Sequence, residues 1–428
     1  MSHIRMVDGR HRYGLLAIAM GVLTTLPRLL QGVEATPHED GKASFSERVV
    51  AGGADDFVTV RHLRIKGSQR QIGKKLAEIA KDRHRVTLQK TEQPLLRARA
   101  EFYRRHYPMH LERGAGVADA FGLRVPESEF DTMMLWFNME PHTSCSTVYY
   151  PGAYTATGHA LLSRNYDFST GTFAELLGGK PPAGARPMNA DAYVMEIYPD
   201  VGHPSLYICA YDLLTGAMDG VNAAGVTVAL LADGEAGRSS DRLMTPQAGL
   251  NQLELPRYVL ETCADVDEAK AALMAAKQYY LFIPAHFIIG DRSGRSFIWE
   301  YGAAHNREYV SDGGGKPQVI TNHSVYAYKG IEQVPKDSEA SSTYARFIRM
   351  QKAIENTQGK HSLEVIKSTN ECVRAVENPA FGPPDRTLWH ALYDCQDLTL
   401  DVDFYLGEGR SPDEPHRRSG YLKFRLER

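Results

Sequence analysis

Apolar positions recur with two different periods along this chain, and the change between them divides it in two. From about residue 60 to 140 the spacing is helical. Ile72, Leu76, Ile79 and Ala80 are separated by lysines and glutamates, the pattern of a helix with one buried face. Pro94 ends or restarts a helix, and Phe102, Tyr103 and Tyr107 among arginines predict a second one. Glu127–Met139 predicts a third. Beyond residue 145 short apolar runs bounded by turn residues take over: Ala160–Leu162, Tyr193–Tyr198, Leu206–Tyr211 and Val226–Leu231 predict strands. Phe287–Ile289 and Phe297–Trp299 predict a hairpin that turns at Asp291-Arg292-Ser293-Gly294. Asp219–Gly225 predicts a glycine-punctuated turn between strands. Val266–Lys277 and Ser341–Asn356 predict helices. Leu388–Tyr393 and Leu398–Tyr405 predict a closing hairpin that turns at Asp394-Cys395-Gln396-Asp397.

Strands in blocks, interrupted by helices, predict an α+β fold of stacked antiparallel sheets covered by helices. The N-terminal segment, 60–144, is α-rich and the remainder, 145–428, is β-rich within the same domain. Residues 36–59 are polar and glycine-rich and predict a linker; Gly171–Pro187 predicts a long loop. Residues 1–35 read as a signal peptide or a disordered tail. Arg5, Arg10 and Arg12 precede the apolar stretch Gly14–Leu26, and Val33-Glu34-Ala35 resembles a cleavage site. A signal peptide would send the protein to a secreted or periplasmic place; a tail would leave it cytoplasmic. That stretch is about 13 residues, too short to span a bilayer, and no other run approaches about 18, so no membrane span is expected.

Composition narrows the function. Hydrophobic residues make up 43% and charged residues 24% of 428, and the net charge is −3. Without a basic stripe or interleaved aromatics, a nucleic-acid partner is not expected. The five cysteines, Cys145, Cys209, Cys263, Cys372 and Cys395, form neither a C-x-x-C pair nor a zinc array, so no metal and no disulfide framework is expected. His286, His305 and His390 show no ligand spacing, and Gly313-Gly314-Gly315 lacks the strand–glycine–helix setting of a phosphate loop. No cofactor is implied.

One constellation carries chemistry. His142-Thr143-Ser144-Cys145-Ser146-Thr147 sits where the helical period gives way to the strand period, and Ser163-Arg164-Asn165-Tyr166-Asp167-Phe168 begins 18 residues after Cys145. Cys-Ser-Thr, then Gly158, then Arg-Asn-Tyr-Asp-Phe resembles the N-terminal-nucleophile hydrolases of the penicillin acyltransferase (C45 peptidase) type. It is similar, more loosely, to choloylglycine hydrolases and acid-ceramidase-like amidases. Further matches follow in order: Asp219-Gly220-Val221-Asn222, Thr321-Asn322-His323, Ser341-Ser342-Thr343-Tyr344-Ala345-Arg346, and Thr387-Leu388-Trp389 through Tyr405. The resemblance covers roughly residues 60–408. It implies a four-layer αββα sandwich and a small-molecule amide or acyl substrate.

The chemistry has its own logic. A thiol needs a base, and no cysteine–histidine pair here has a hydrolase signature. A cysteine at a chain end carries one, because an α-amine has a pKa of about 8. Residue 145 is internal, so that base requires cleavage between Ser144 and Cys145, and the resemblance implies self-cleavage with the two chains staying associated. The resemblance assigns Asn222 and Asn322 to the oxyanion, Asp167 to the α-amine, Arg164 to lowering the thiol pKa and holding Asp167 in place, and Arg346 to their support. His142 and His323 are not needed as base. The family pattern has glycine before the nucleophile more often than serine, which puts the cut in question more than the catalysis. The leading expectation is hydrolysis of a linear amide through an S-acyl Cys145. An acyl-CoA-dependent N-acyltransferase and a non-catalytic binding protein on the same fold are the alternatives. A papain-like protease would want a helix at the nucleophile, whereas Thr147–Tyr150 predicts strand. Oligomeric state is open.

Overall fold

The computed structural model describes residues 43–427 apart from 125–127, 138–143, 177, 237–245, 282–283, 303–306, 338, 340–341, 377–382 and 412–413. The segment read as a signal peptide or tail lies outside them. In chain order the elements are β1 (Ser44–Ala51), β2 (Thr59–Gly67), α1 (Gln69–His84), α2 (Gln93–His106), α3 (Pro108–Phe121), β3 (Ser144–Tyr150), β4 (Leu161–Ser169), α4 (Phe173–Leu176), β5 (Asp191–Pro199), β6 (Ser205–Cys209), β7 (Ala217–Asn222) and β8 (Thr227–Ala232). They continue with α5 (Glu254–Thr262), α6 (Val266–Ala275), β9 (Ala285–Gly290), β10 (Ser296–Gly302), β11 (Arg307–Asp312), β12 (Gln318–Ile320), α7 (Thr343–Glu355), α8 (Leu363–Glu371), β13 (Asp385–Asp394), β14 (Thr399–Ser411), β15 (Glu414–Arg418) and β16 (Leu422–Arg425).

Nine strands form one sheet in the order β1-β2-β5-β6-β7-β8-β9-β10-β11. The other sheet runs β12-β3-β4-β13-β14-β15, with β16 also paired to β14. The sheets face each other where β3 meets β8 and β9 and where β13 meets β7. Helices α1, α5 and α6 pack on the first sheet, and α7 and α8 on the second. This is the expected αββα sandwich. The central strands are buried on both faces, so their sequences read as unbroken apolar runs. One pair departs from the antiparallel rule: β2 runs parallel to β5, in register from Thr59↔Asp191 to Gly67↔Pro199. A strand of the α-rich segment is therefore built into the first sheet.

Local sequence explains the first helix. Ser68 and Gln71 form a capping box, and Ile72, Leu76 and Ile79 are buried. Gly73 and Gly116 let α1 and α3 touch backbone to backbone; a β-carbon on either would lie 2.0 Å from a carbonyl oxygen of the other helix.

Three expectations need correction. The stretch read as a linker contains β1. Its side chains are mostly exposed and give no apolar alternation, so the strand depends on backbone pairing with β2. The third helix does not form within its described residues, 128–137. Met133, Met134 and Leu135 are consecutive and all buried, a run that neighbours enclose on every side. Its backbone bonds outward, Asp131 N–H to the Gln89 carbonyl and Phe137 N–H to that of Tyr211. Finally, Asp219–Asn222 is not a turn but the last part of β7, and the chain reverses at 223–225. Among the described residues no helix is long and apolar enough to cross a membrane.

Candidate active site

Cys145 is the second residue of β3, in register with Tyr166 of β4. Alternation along both strands sends Cys145, Tyr166 and Arg164 into the space between the sheets, and Ser144, Ser146 and Asp167 to the α7 side. Arg164 Nη2 donates to Cys145 Sγ at 3.3 Å. The other end of that guanidinium pairs with Asp219 and not, as expected, with Asp167, which faces the other side of β4; both paired side chains are fully buried. Asp219 is held in turn by Trp389 Nε1 at 3.2 Å and by the Tyr393 hydroxyl at 2.6 Å. Burial pushes the Cys145 thiol up to about 11, and the nearby Arg164 works against that rise. The thiol is therefore protonated at neutral pH and closed off from solvent.

The backbone at Cys145 is held as firmly as its side chain. Its N–H donates to Asn322 Oδ1 at 2.7 Å. Arg346 donates to the Cys145 carbonyl at 2.5 Å, to Ser146 Oγ at 2.7 Å and to Asn322 Oδ1 at 2.8 Å. Arg346 stands in the first turn of α7, whose start is fixed by Ser342 Oγ accepting the Ala345 N–H. Asn322 Nδ2 donates to the Ala232 carbonyl at 2.9 Å. Ser341, part of the same motif, lies outside the described residues, as does His142.

Asp167 stands apart electrostatically. Its Oδ1 accepts from Thr387 Oγ1 at 2.5 Å. Its Oδ2 is buried with no hydrogen-bond partner among the described residues, and Arg346 Nη1 is 4.0 Å away. Burial raises this carboxyl to about 6, opposed by Arg346 and by the Thr387 hydrogen bond.

Five of the six expected residues converge: Cys145, Arg164, Asp167, Asn322 and Arg346. Asn222 does not join them. Both its amide hydrogens are committed, to the carbonyls of Leu260 and Cys263 at 2.9 and 2.7 Å, and its Oδ1 accepts the Val226 N–H. It ties the end of β7 to α5 and to the following turn. Sequence reasoning missed Asp219 and Thr387, although both stood inside motifs that were noted.

A cleft of about 510 Å³ opens on the α7 side of the cluster, lined by Ser144, Asp167, Ser342, Arg346, Arg349, Val373 and Arg374, among others. His323 lies on the Asn322 loop but bonds to Thr321 and Thr343, and burial lowers it to about 3, so it is neutral. His390 bridges Ser163 and Tyr421 in the interior. His286 does have acidic neighbours, Asp233 and Glu300, which wide sequence separation concealed. Their oxygens and both its ring nitrogens are engaged with protein groups.

Comparison with known proteins adds the following. The family described as acyl-coenzyme A:6-aminopenicillanic acid acyl-transferase matches residues 155–410, a span that starts after Cys145. Among solved structures, two variants of the conjugated bile acid hydrolase of Clostridium perfringens are similar at 15% and 16% identity. Each match covers 66% of this chain and 97% of that one, with a TM-score of 0.42. The penicillin V acylase of Agrobacterium tumefaciens is similar at 17% identity over 61% of this chain and 82% of its own, with a TM-score of 0.41. No curated protein sequence matches.

Proposed function

We propose, from the premise that the chain belongs to the acyl-coenzyme A:6-aminopenicillanic acid acyl-transferase family, that it is an N-terminal-nucleophile amidohydrolase working through Cys145 after cutting its own chain. The amidohydrolase and acyltransferase class follows from the family. The nucleophile, the cut and the roles below are our reading, and the observation that carries it is the guanidinium of Arg164 on Cys145 Sγ.

In the uncut chain the thiol attacks the Ser144 carbonyl. The Ser144–Cys145 C–N bond breaks as an S–C bond forms, the thiol proton passing to the departing Cys145 nitrogen; water then hydrolyses the thioester and returns a proton to sulfur. The products are a Ser144 carboxylate and a free α-amine on Cys145. That amine has a pKa near 8 in water and takes the thiol proton during turnover. Its ammonium form then protonates the departing amine. Two features support this: Asn322 Oδ1 already accepts the Cys145 N–H, and Asp167 Oδ2 has no hydrogen bond among the described residues, its nearest cation Arg346 standing 4.0 Å away. Arg164 favours the thiolate. Asn322 Nδ2 has one N–H on Ala232 and a second to offer the oxyanion. Arg346 fixes the Cys145 carbonyl and Asn322 together.

The cut chains stay joined in this account. The β2–β5 pairing spans the two. Arg113 of α3 pairs with Glu261 of α5, and Tyr107 also donates to Glu261, all fully buried. A thioester donor with an amine acceptor, as the family description states for its namesake, is the second reading.

The test is trapping. Purified protein is mixed with amide and thioester donors, quenched in acid and weighed intact. The acyl mass should appear on the chain that begins at Cys145 and vanish with hydroxylamine. Turnover without any adduct on Cys145 under rapid quench would sink the reading.

A further inference from the structure

His286 lies in β9 of the first sheet, whereas Asn322 follows β12 of the second, so the two come together across the sandwich. The imidazole Nε2 is 2.7 Å from the Thr321 carbonyl, one residue before Asn322. Its Nδ1 is 3.3 Å from Glu300 Oε1 and 4.0 Å from Asp233 Oδ2. Both ring nitrogens thus face acceptors only. A neutral imidazole donates from one nitrogen; the imidazolium donates from both. The same two carboxylates grip the loop beyond Asn322. Glu300 accepts the N–H groups of Val325 and Tyr326 at 2.6 and 2.8 Å, and Asp233 accepts from Ser324 Oγ at 2.7 Å. The Gly234 N–H donates to the Asn322 carbonyl itself at 3.0 Å.

We propose that His286, as an imidazolium, is a positioning residue for the reaction: with Glu300 and Asp233 it locks the loop from Thr321 to Tyr326 onto the first sheet and so fixes Asn322 against the Cys145 amine. The inference rests on the reading of Asn322 given above. The groups that face this ring are Asp233 from the end of β8, Glu300 from β10 and the Thr321 carbonyl from the end of β12. Tyr280, Glu235, His323 and Arg346 stand beyond them. Burial opposes the charge on His286, but Glu300 and Asp233 outweigh it and hold the ring above its ordinary value. Loss of that proton at higher pH leaves one nitrogen lone pair facing a carboxylate, and the loop loosens. Asn322 then keeps its neighbours but not its aim, which reduces kcat more than it raises KM.

His286→Gln tests this, because an amide still donates to Thr321 but brings no charge to Glu300. Self-cleavage, kcat and KM are measured across the neutral and alkaline range for wild type, His286→Gln and His286→Ala. The ring of His286 is followed by NMR in the wild type. His286→Gln should fold and bind substrate, lose about 10- to 100-fold in kcat, and lose the alkaline fall that the wild type shows. The NMR titration of His286 should coincide with that fall. Should His286→Ala not fold, the glutamine variant and the NMR arm still decide. Wild-type kcat and pH profile in His286→Gln would overturn the proposal, as would a ring that is neutral throughout. Activity lost to a chelator and restored by a divalent cation would also overturn it, by placing an ion among these side chains. If wild type never acylates Cys145, the reading of the site has failed; if it does and His286→Gln equals it, only this proposal has.

Discussion

Replacing Arg164 by Met removes the one cation that touches the thiol among the described residues. At the observed 3.3 Å between Nη2 and Sγ, Coulomb's law with an effective dielectric of about 20 gives about 5 kcal/mol for the thiolate–guanidinium pair. That is an upper bound of between three and four powers of ten in thiolate population at a given pH. A second cost falls on stability. Asp219 would be left charged and fully buried without its partner, a situation that costs about 3–5 kcal/mol. The two costs separate in a double variant. Arg164→Met/Asp219→Asn removes both charges and leaves an acceptor for Tyr393, so it should recover at least about 2 kcal/mol of stability and none of the reactivity. The assay is alkylation of Cys145 by iodoacetamide in the self-cleaved protein, followed by mass on the Cys145 peptide across pH, alongside urea unfolding. An Arg164→Met protein that alkylates with the wild-type pH profile would refute the role of Arg164. A double variant no more stable than the single one would refute the ion-pair argument.

Other consequences can be measured the same way. Asn222→Ala removes three hydrogen bonds that tie β7 to α5 and its own turn; it should lower unfolding free energy by about 2–4 kcal/mol while kcat of the folded enzyme stays within about twofold. Asp167, raised by burial to about 6 in the uncut chain, binds a proton in the folded state that the unfolded state has released above about pH 4. Uncut Cys145→Ala protein should therefore lose stability, on the order of 3 kcal/mol, as pH rises from about 4 through 6. Urea titrations at both ends of that window should show the loss, and Asp167→Asn in the same background should abolish it. Glu261→Gln leaves the guanidiniums of Arg113 and Arg257 without their shared carboxylate; the two chains of the cut protein should then separate at clearly lower urea by size-exclusion chromatography, at a cost of about 3–5 kcal/mol.

Much of this was legible in the sequence because each feature had a local signature. The β9–β10 hairpin announced itself through its turn, and α1 through its apolar stripe. The strand period around Cys145 placed only Arg164 on the same face as the thiol; Asp167 lies on the other face of β4, and Asn322 and Arg346 arrive from the loop after β12 and from α7. What stayed hidden was set by distant contacts. Asn222 and Asp219 share one motif, and only the three-dimensional register shows that Asp219 reaches Arg164 while Asn222 is consumed by α5. β1 carries no apolar alternation to read. The run at 133–135 mimics a helix because its burial comes from several neighbours at once. The His286 cluster draws its members from the residue after β8, from β9 and from β10, too far apart in sequence for any spacing rule.

Whether Cys145 works as a chain terminus is decided by intact mass and N-terminal sequencing of the purified protein. Two chains are expected, the second beginning Cys-Ser-Thr, and a Cys145→Ala protein should stay whole and inactive. A wild-type protein that remains one chain yet hydrolyses amides at full rate would contradict that role.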